Sequence, residues 1–156
     1  VKPSTFIQVG IVPALGLLPK QMDSPAAKAM IIAICLQESR LEHRRQISGP
    51  ARGYPQFEMG GIRGVLKHPA SAPHAVMLCA DLDCEAKVDA VYTAIEYSDV
   101  IAAGFARLLL WTLPDPLPAQ HETEEGWRQY LDAWRPGLPH RETWNAFFDL
   151  AWEMVG

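Results

Sequence analysis

At 156 residues the chain has the length of one domain and can bury a sizeable core without disulfide or metal staples. With 49% hydrophobic and 21% charged residues it is too apolar to be disordered, and no apolar run reaches the ~18 to 20 residues of a membrane span. A formal net charge of -4 gives no dominant basic field, which argues against nucleic acid as a partner.

The first apolar stretch, Phe6 to Leu18, reads as a core segment. Pro13 interrupts it, only Lys2 precedes it, and no small-residue cleavage pattern closes it, so a cleaved leader is not indicated while an uncleaved or atypical one stays open. Asp23-Ser24-Pro25 then opens the clearest helix. Ser24 can accept from free backbone N–H groups, and Pro25 at the first helical position loses nothing by lacking its own. This helix is expected from Pro25 to Arg40. Along it Ile31, Ile34, Cys35 and Glu38 recur at helical spacing, so that Glu38 ends an apolar stripe. A carboxyl aimed toward a core is desolvated, which raises its pKa and suits it to general acid work. The competing reading is a helix-end Glu paired with Arg40 or Arg44.

From Ile47 to Gly61 the chain carries Gly49, Pro50, Gly53, Pro55, Gly60 and Gly61, too many breakers for a helix, and a loop or short irregular hairpin is expected. Alternation within it sets Tyr54, Gln56 and Glu58 on one side. Further helices are expected over Gly61 to Lys67, Pro73 to Ala80, Cys84 to Tyr97 and Asp99 to Thr112, with Asp83 and Ser98 as N-caps of the last two. Pro114, Pro116 and Pro118 force an extended connection. A helix opening at Thr123, with Glu124 and Glu125 at the positive end of its dipole, should stop near Pro136-Gly137. Pro139 to Met154 supplies the last. Trp127, Tyr130 and Trp134 follow helical spacing, as core aromatics do. The whole reads as all-α, a single domain over 1–156.

The arginines Arg40, Arg44, Arg45, Arg52 and Arg63 form the one local basic cluster, either a solvated surface or a rim for an acidic polymer. Cys35, Cys79 and Cys84 have no metal-ligand spacing, and an odd number argues against a disulfide framework; Cys79 and Cys84 can pair only if the intervening turn allows it. His43, His68 and His74 also lack ligand spacing. No metal and no cofactor is indicated.

The run from Glu38 to Gln56, ESRLEHRRQISGPARGYPQ, resembles the active-site stretch of lytic transglycosylases related to goose-type lysozyme. That family has Glu-Ser, an aromatic or aliphatic residue two places on, then Gly-Ala-x-Gly-Leu-Met-Gln. Glu38, Ser39, Leu41, Ala51, Gly53 and Gln56 fall on matching positions without a gap. Near the C-terminus, Tyr130 to Gly137 looks like the family's Ala-Tyr-Asn-Ala-Gly segment, which closes the cleft opposite the acid. The departures are Pro50 for the first Gly, Tyr54-Pro55 for Leu-Met, and Trp134-Arg135 for Tyr-Asn.

The resemblance implies a lysozyme-like helical domain, peptidoglycan glycan strands as partner, and Glu38 as catalytic acid and then base. Ser39, Tyr54, Gln56, Glu58, Tyr130, Trp134 and Arg135 are the residues it offers for substrate binding. It is also reminiscent of phage and prophage proteins, which would make the chain phage-encoded, cytoplasmic or virion-associated, with virion proteins as further partners. Two alternatives stay beside it: a lysozyme-type hydrolase of the same bond, with Glu58 as second carboxylate, and a catalytically weak structural or wall-binding protein.

Overall fold

The computed structural model describes residues 1–156 and is all-α; its only β pairing is two isolated bridges, Arg45 with Arg52 and Arg52 with Phe57. The chain opens with α1 (Pro3–Phe6), a π-helical turn (Ile7–Ile11) and α2 (Val12–Leu17) in direct succession. The π-turn accommodates Pro13, whose ring would collide with the carbonyl four residues back in an unbroken α-helix. Val12 N–H reaches to Ile7 O instead. No helix is long and apolar enough to cross a membrane.

A 3-10 turn (Lys20–Met22) leads into α3 (Pro25–Ser39). Ser24 caps it by accepting from Ala27 N–H at 3.0 Å, and Pro25 stands at the first position. Every residue from Ala29 to Leu36 is buried, so this is a central helix, apolar on all sides, rather than a striped one. Each buried isoleucine there contributes roughly 1.5 to 3 kcal/mol. Helix α3 lies along the last helix, Arg141–Val155, and also meets the helix Asp99–Trp111.

After the segment from Arg40 to Glu58 come α4 (Met59–Lys67), α5 (Ala72–Asp81), α6 (Val88–Tyr97) and α7 (Asp99–Trp111), then an irregular proline-rich connection, α8 (Thr123–Trp134) and α9 (Arg141–Val155). Helix α7 is nearly all buried from Ile101 to Leu108 and touches α4, α5 and α6 on one side and α2, α3 and α8 on others. Its Arg107, 4% exposed, donates from Nε to Met22 O at 2.7 Å and lies over the Trp111 ring, and burial lowers its pKa to about 10. Ser98 caps α7 through Ile101 N–H at 3.1 Å.

Two expected boundaries move. The helix expected from Cys84 begins only at Val88, and Asp83, expected to cap it, has φ 54° and closes α5 instead. Helix α4 begins at Met59 and so takes Gly60 and Gly61 inside it, where their abundance suggested loop.

Candidate functional site

The chain leaves α3 through two consecutive left-handed residues, Arg40 at φ 57° and Leu41 at φ 55°. Ser39 makes this turn possible. Its hydroxyl lies 3.0 Å from Cys35 O and 2.8 Å from Tyr54 O, and accepts from Leu41 N–H at 3.2 Å. The chain then runs into a hairpin in which Arg52 and Phe57 exchange both backbone hydrogen bonds, at 2.9 and 2.8 Å, around the loop Gly53 to Gln56. Only glycine fits the first loop position: at φ 74° its Cβ would stand 2.6 Å from the Ile95 side chain and 2.8 Å from Ile95 O. The loop ends at Gln56, φ 57°, whose Nε2 donates to Gly53 O at 2.9 Å.

Helix α8 faces this hairpin. Trp134 Nε1 donates to Pro55 O at 2.8 Å and its ring packs on Phe57 at 5.7 Å. One turn earlier, Tyr130 stacks on Trp144 of α9 at 5.3 Å and donates its hydroxyl to Glu38 Oε1 at 2.7 Å. Arg135 closes α8 at φ 49°, and the segment to His140 is tied to α3 by Gln37 Nε2 donating to His140 O at 2.8 Å.

Between hairpin and α8 runs a groove of two hollows that share Gln56, Glu58, Trp134 and Arg135. The first, of about 670 Å³, contains Glu38 with Gln37, His43, Gln46 and Tyr130, and is bordered by Ile47 and the segment Pro136 to His140. The second, of about 550 Å³, runs over the glycines of α4, Gly60, Gly61 and Gly64, to His68 and Thr112. Glu38 and Glu58 are the only carboxylates on these walls.

Burial raises the pKa of the half-buried Glu38, the Tyr130 hydrogen bond pulls it back in part, and the charge of Glu58 adds to the rise, with a net upward shift. Burial, and then the neighbouring Glu38, hold Tyr130 far above the usual phenol range, so it remains a neutral donor. The arrangement is thus a carboxyl with a raised pKa, one oxygen bonded to Tyr130, on the wall of an open groove. No three His, Cys, Asp or Glu side chains converge to hold a metal ion.

The structure brings Glu38, Gln56, Glu58, Tyr130, Trp134 and Arg135 together on this groove. It does not bring Ser39 or Tyr54 there. Ser39 is 1% exposed with its hydroxyl committed to the turn, and Tyr54 is 4% exposed, edge-on to Phe6 and under the Arg44 guanidinium. None of the five clustered arginines lines the groove: Arg44 pairs with Asp99, Arg45 and Arg52 with Glu96, Arg40 lies over Phe147, and Arg63 is exposed on α4. Residues the motif did not point to, namely Gln37, His43, Gln46, Leu138 and His140, line the first hollow. Helix spacing does not find Gln37 either, since neighbours in sequence do not share a helix face. No protein-family model, no curated protein and no solved structure matches this chain.

Proposed function

We propose that this chain is a lysozyme-like enzyme that cleaves peptidoglycan glycan strands as a lytic transglycosylase, with Glu38 acting first as acid and then as base. The observation that carries the reading is the Glu38–Tyr130 pair in an elongated groove. Burial favours the protonated carboxyl, and the 2.7 Å bond from Tyr130 occupies Oε1, leaving Oε2 to deliver the proton. The motif resemblance around Glu38 and Gln56 supplies the substrate.

Glu38 protonates the oxygen leaving N-acetylmuramic acid. The carboxylate so formed then takes the proton of that sugar's own 6-hydroxyl, whose attack closes a 1,6-anhydro ring. No water needs activating, and the attacking group is already held on the substrate, which gives the intramolecular reaction its advantage. Trp134 and the Gln56 amide suit a sugar face and its acetamido group.

Backbone strain supports the same location. Of the six non-glycine residues at positive φ, Arg40 and Leu41 follow Glu38 after Ser39, Gln56 and Arg135 line the groove, and Ser48 lies in the loop between Ile47 and Pro50, both of which line it. Such conformations cost on the order of 1 to 3 kcal/mol each and gather where a site requires them.

A hydrolase reading rests on one observation: Glu58 shares the groove and its charge is felt at Glu38. A second carboxylate could activate water on the opposite sugar face. Digests of purified peptidoglycan separate the readings by mass: anhydro ends for the transglycosylase, reducing ends for the hydrolase. Glu38→Gln should keep the fold and wall binding and lower turnover by ~10² to 10⁴-fold. Wild-type turnover in that variant would overturn the assignment. Wall binding with no soluble product from the wild type would point to a structural protein.

A further inference from the structure

Helix α5 ends in a closure that sets two thiols side by side. Asp83 N–H donates to Ala80 O at 3.3 Å, Cys84 N–H donates to Cys79 O at 2.9 Å, and Asp83 between them takes the left-handed conformation at φ 54°. This nested pair of bonds is the Schellman closure of a helix, which brings the residue accepting the outer bond against the residue donating it, normally as an apolar contact. Here those two residues are Cys79 and Cys84. Both thiols are free, Cys79 is 1% exposed in the core, and Cys84 is half-buried with its Sγ 3.5 Å from Glu85 O. The third cysteine, Cys35, is fully buried on α3.

We infer that Cys79 and Cys84 form a dithiol modification site that a small aliphatic disulfide, such as glutathione disulfide, oxidises to an intramolecular cross-link. The inference is independent of the catalytic reading. Cys84, the more exposed thiol, attacks one sulfur of glutathione disulfide as its thiolate. A mixed disulfide on Cys84 forms and one glutathione leaves. Cys79 then attacks Cys84 Sγ, the Cys79–Cys84 bond forms, and the second glutathione leaves. The two cysteines lose two electrons and two protons, and one glutathione disulfide becomes two thiols.

The closeness of the pair is felt in its titration. Burial, and then the neighbouring Cys84, push the Cys79 thiol up to about 12, so little thiolate is present at neutral pH and the exchange is slow there. What makes it proceed is placement. Cys79 is held against Cys84 by the helix end, so the second attack is intramolecular and outruns a second glutathione.

The test is intact-mass analysis and peptide mapping of the folded full chain after exposure to glutathione disulfide. The expected product is lighter by two hydrogen atoms, with Cys79 joined to Cys84 and Cys35 alkylated only after unfolding. Cys79→Ser should stop with glutathione retained on Cys84, and Cys84→Ser should leave Cys79 unreacted. Asp83→Gly, which takes the left-handed turn without strain, should keep the cross-link, whereas Asp83→Val should slow its formation at least tenfold. Glutathione retained on Cys84 of the wild type, or two thiols still free, would overturn the inference. So would an equal cross-linking rate in the glycine and valine variants.

Discussion

Glu38 is held between opposing influences, and each can be removed singly. On the proposed mechanism Glu38 acts as an acid in the first step and must be protonated, so kcat/KM should fall as pH rises through its pKa. Tyr130→Phe removes a hydrogen bond that favours the carboxylate; the pKa should rise further and the alkaline limb move to higher pH. Glu58→Gln removes a negative charge that disfavours the carboxylate, so the limb should move to lower pH, with most activity and the same anhydro ends retained. The pH–rate profiles of the two variants check both signs. Shifts in the same direction would show that Glu38 does not set the limb, and a collapse of rate in Glu58→Gln with the fold intact would favour hydrolysis. At this scale the sequence was informative where a motif position carries a group facing the groove, as at Glu38, Gln56, Tyr130 and Trp134. Ser39 matches the motif and Tyr54 departs from it, yet both face inward. Motif register does not say which way a side chain points: the Ser39 hydroxyl is taken up by the turn that follows it, and Tyr54 packs against Phe6. His140 and Gln46 were illegible, since only the packing of distant segments carries them to the groove.

The two helices that begin at a side-chain cap start where the sequence places them, as does uncapped α8 at Thr123, whereas uncapped α4 and α6 start elsewhere. Ser24 and Ser98 accept from the third residue beyond them, as their chemistry requires. Asp83 shows the ambiguity: a short polar side chain suits a helix start, but aspartate also tolerates the left-handed position that ends a helix, and the Schellman closure of α5 uses it in that way. Helix α6 consequently starts at Val88 behind Lys87, whose extended backbone suits a cap but whose side chain caps nothing. Lys87→Ser should therefore stabilise the protein by about 0.5 to 1 kcal/mol, seen as a higher urea midpoint at unchanged slope. An unchanged midpoint would mean that Asp89 Oδ1, already accepting from Ala90 N–H at 2.9 Å, satisfies the helix start by itself.

For the molecule as a whole, the end of α3, α8 and the segment from Pro136 to His140 line one part of the groove, and the hairpin with α4 another. The all-α class follows from apolar helices cut by Pro and Gly, but the groove's second hollow could not be read from the sequence, because helix spacing does not show that Gly60, Gly61 and Gly64 line a cavity with residues as distant as Thr112 and Trp134. Glycine inside a helix costs roughly 0.5 to 1 kcal/mol relative to alanine. Gly61 has a packing reason, since a Cβ there would stand 3.3 Å from the Phe57 ring. Gly60 and Gly64 have none: a Cβ at either would meet nothing within 4 Å and would project into the hollow. If the glycan strand continues past Glu58 along this floor, Gly64→Leu should raise helix stability while obstructing the strand. Cleavage of long glycans should fall about tenfold for each ~1.4 kcal/mol by which strand binding weakens, and fragments short enough to occupy only the Glu38 hollow should be cut as before. The measurement is the ratio of rates on long and short chains, read beside the urea midpoint. An unchanged ratio in a folded, stabilised variant would show that the strand does not use the second hollow, and would confine the substrate to the Glu38 side.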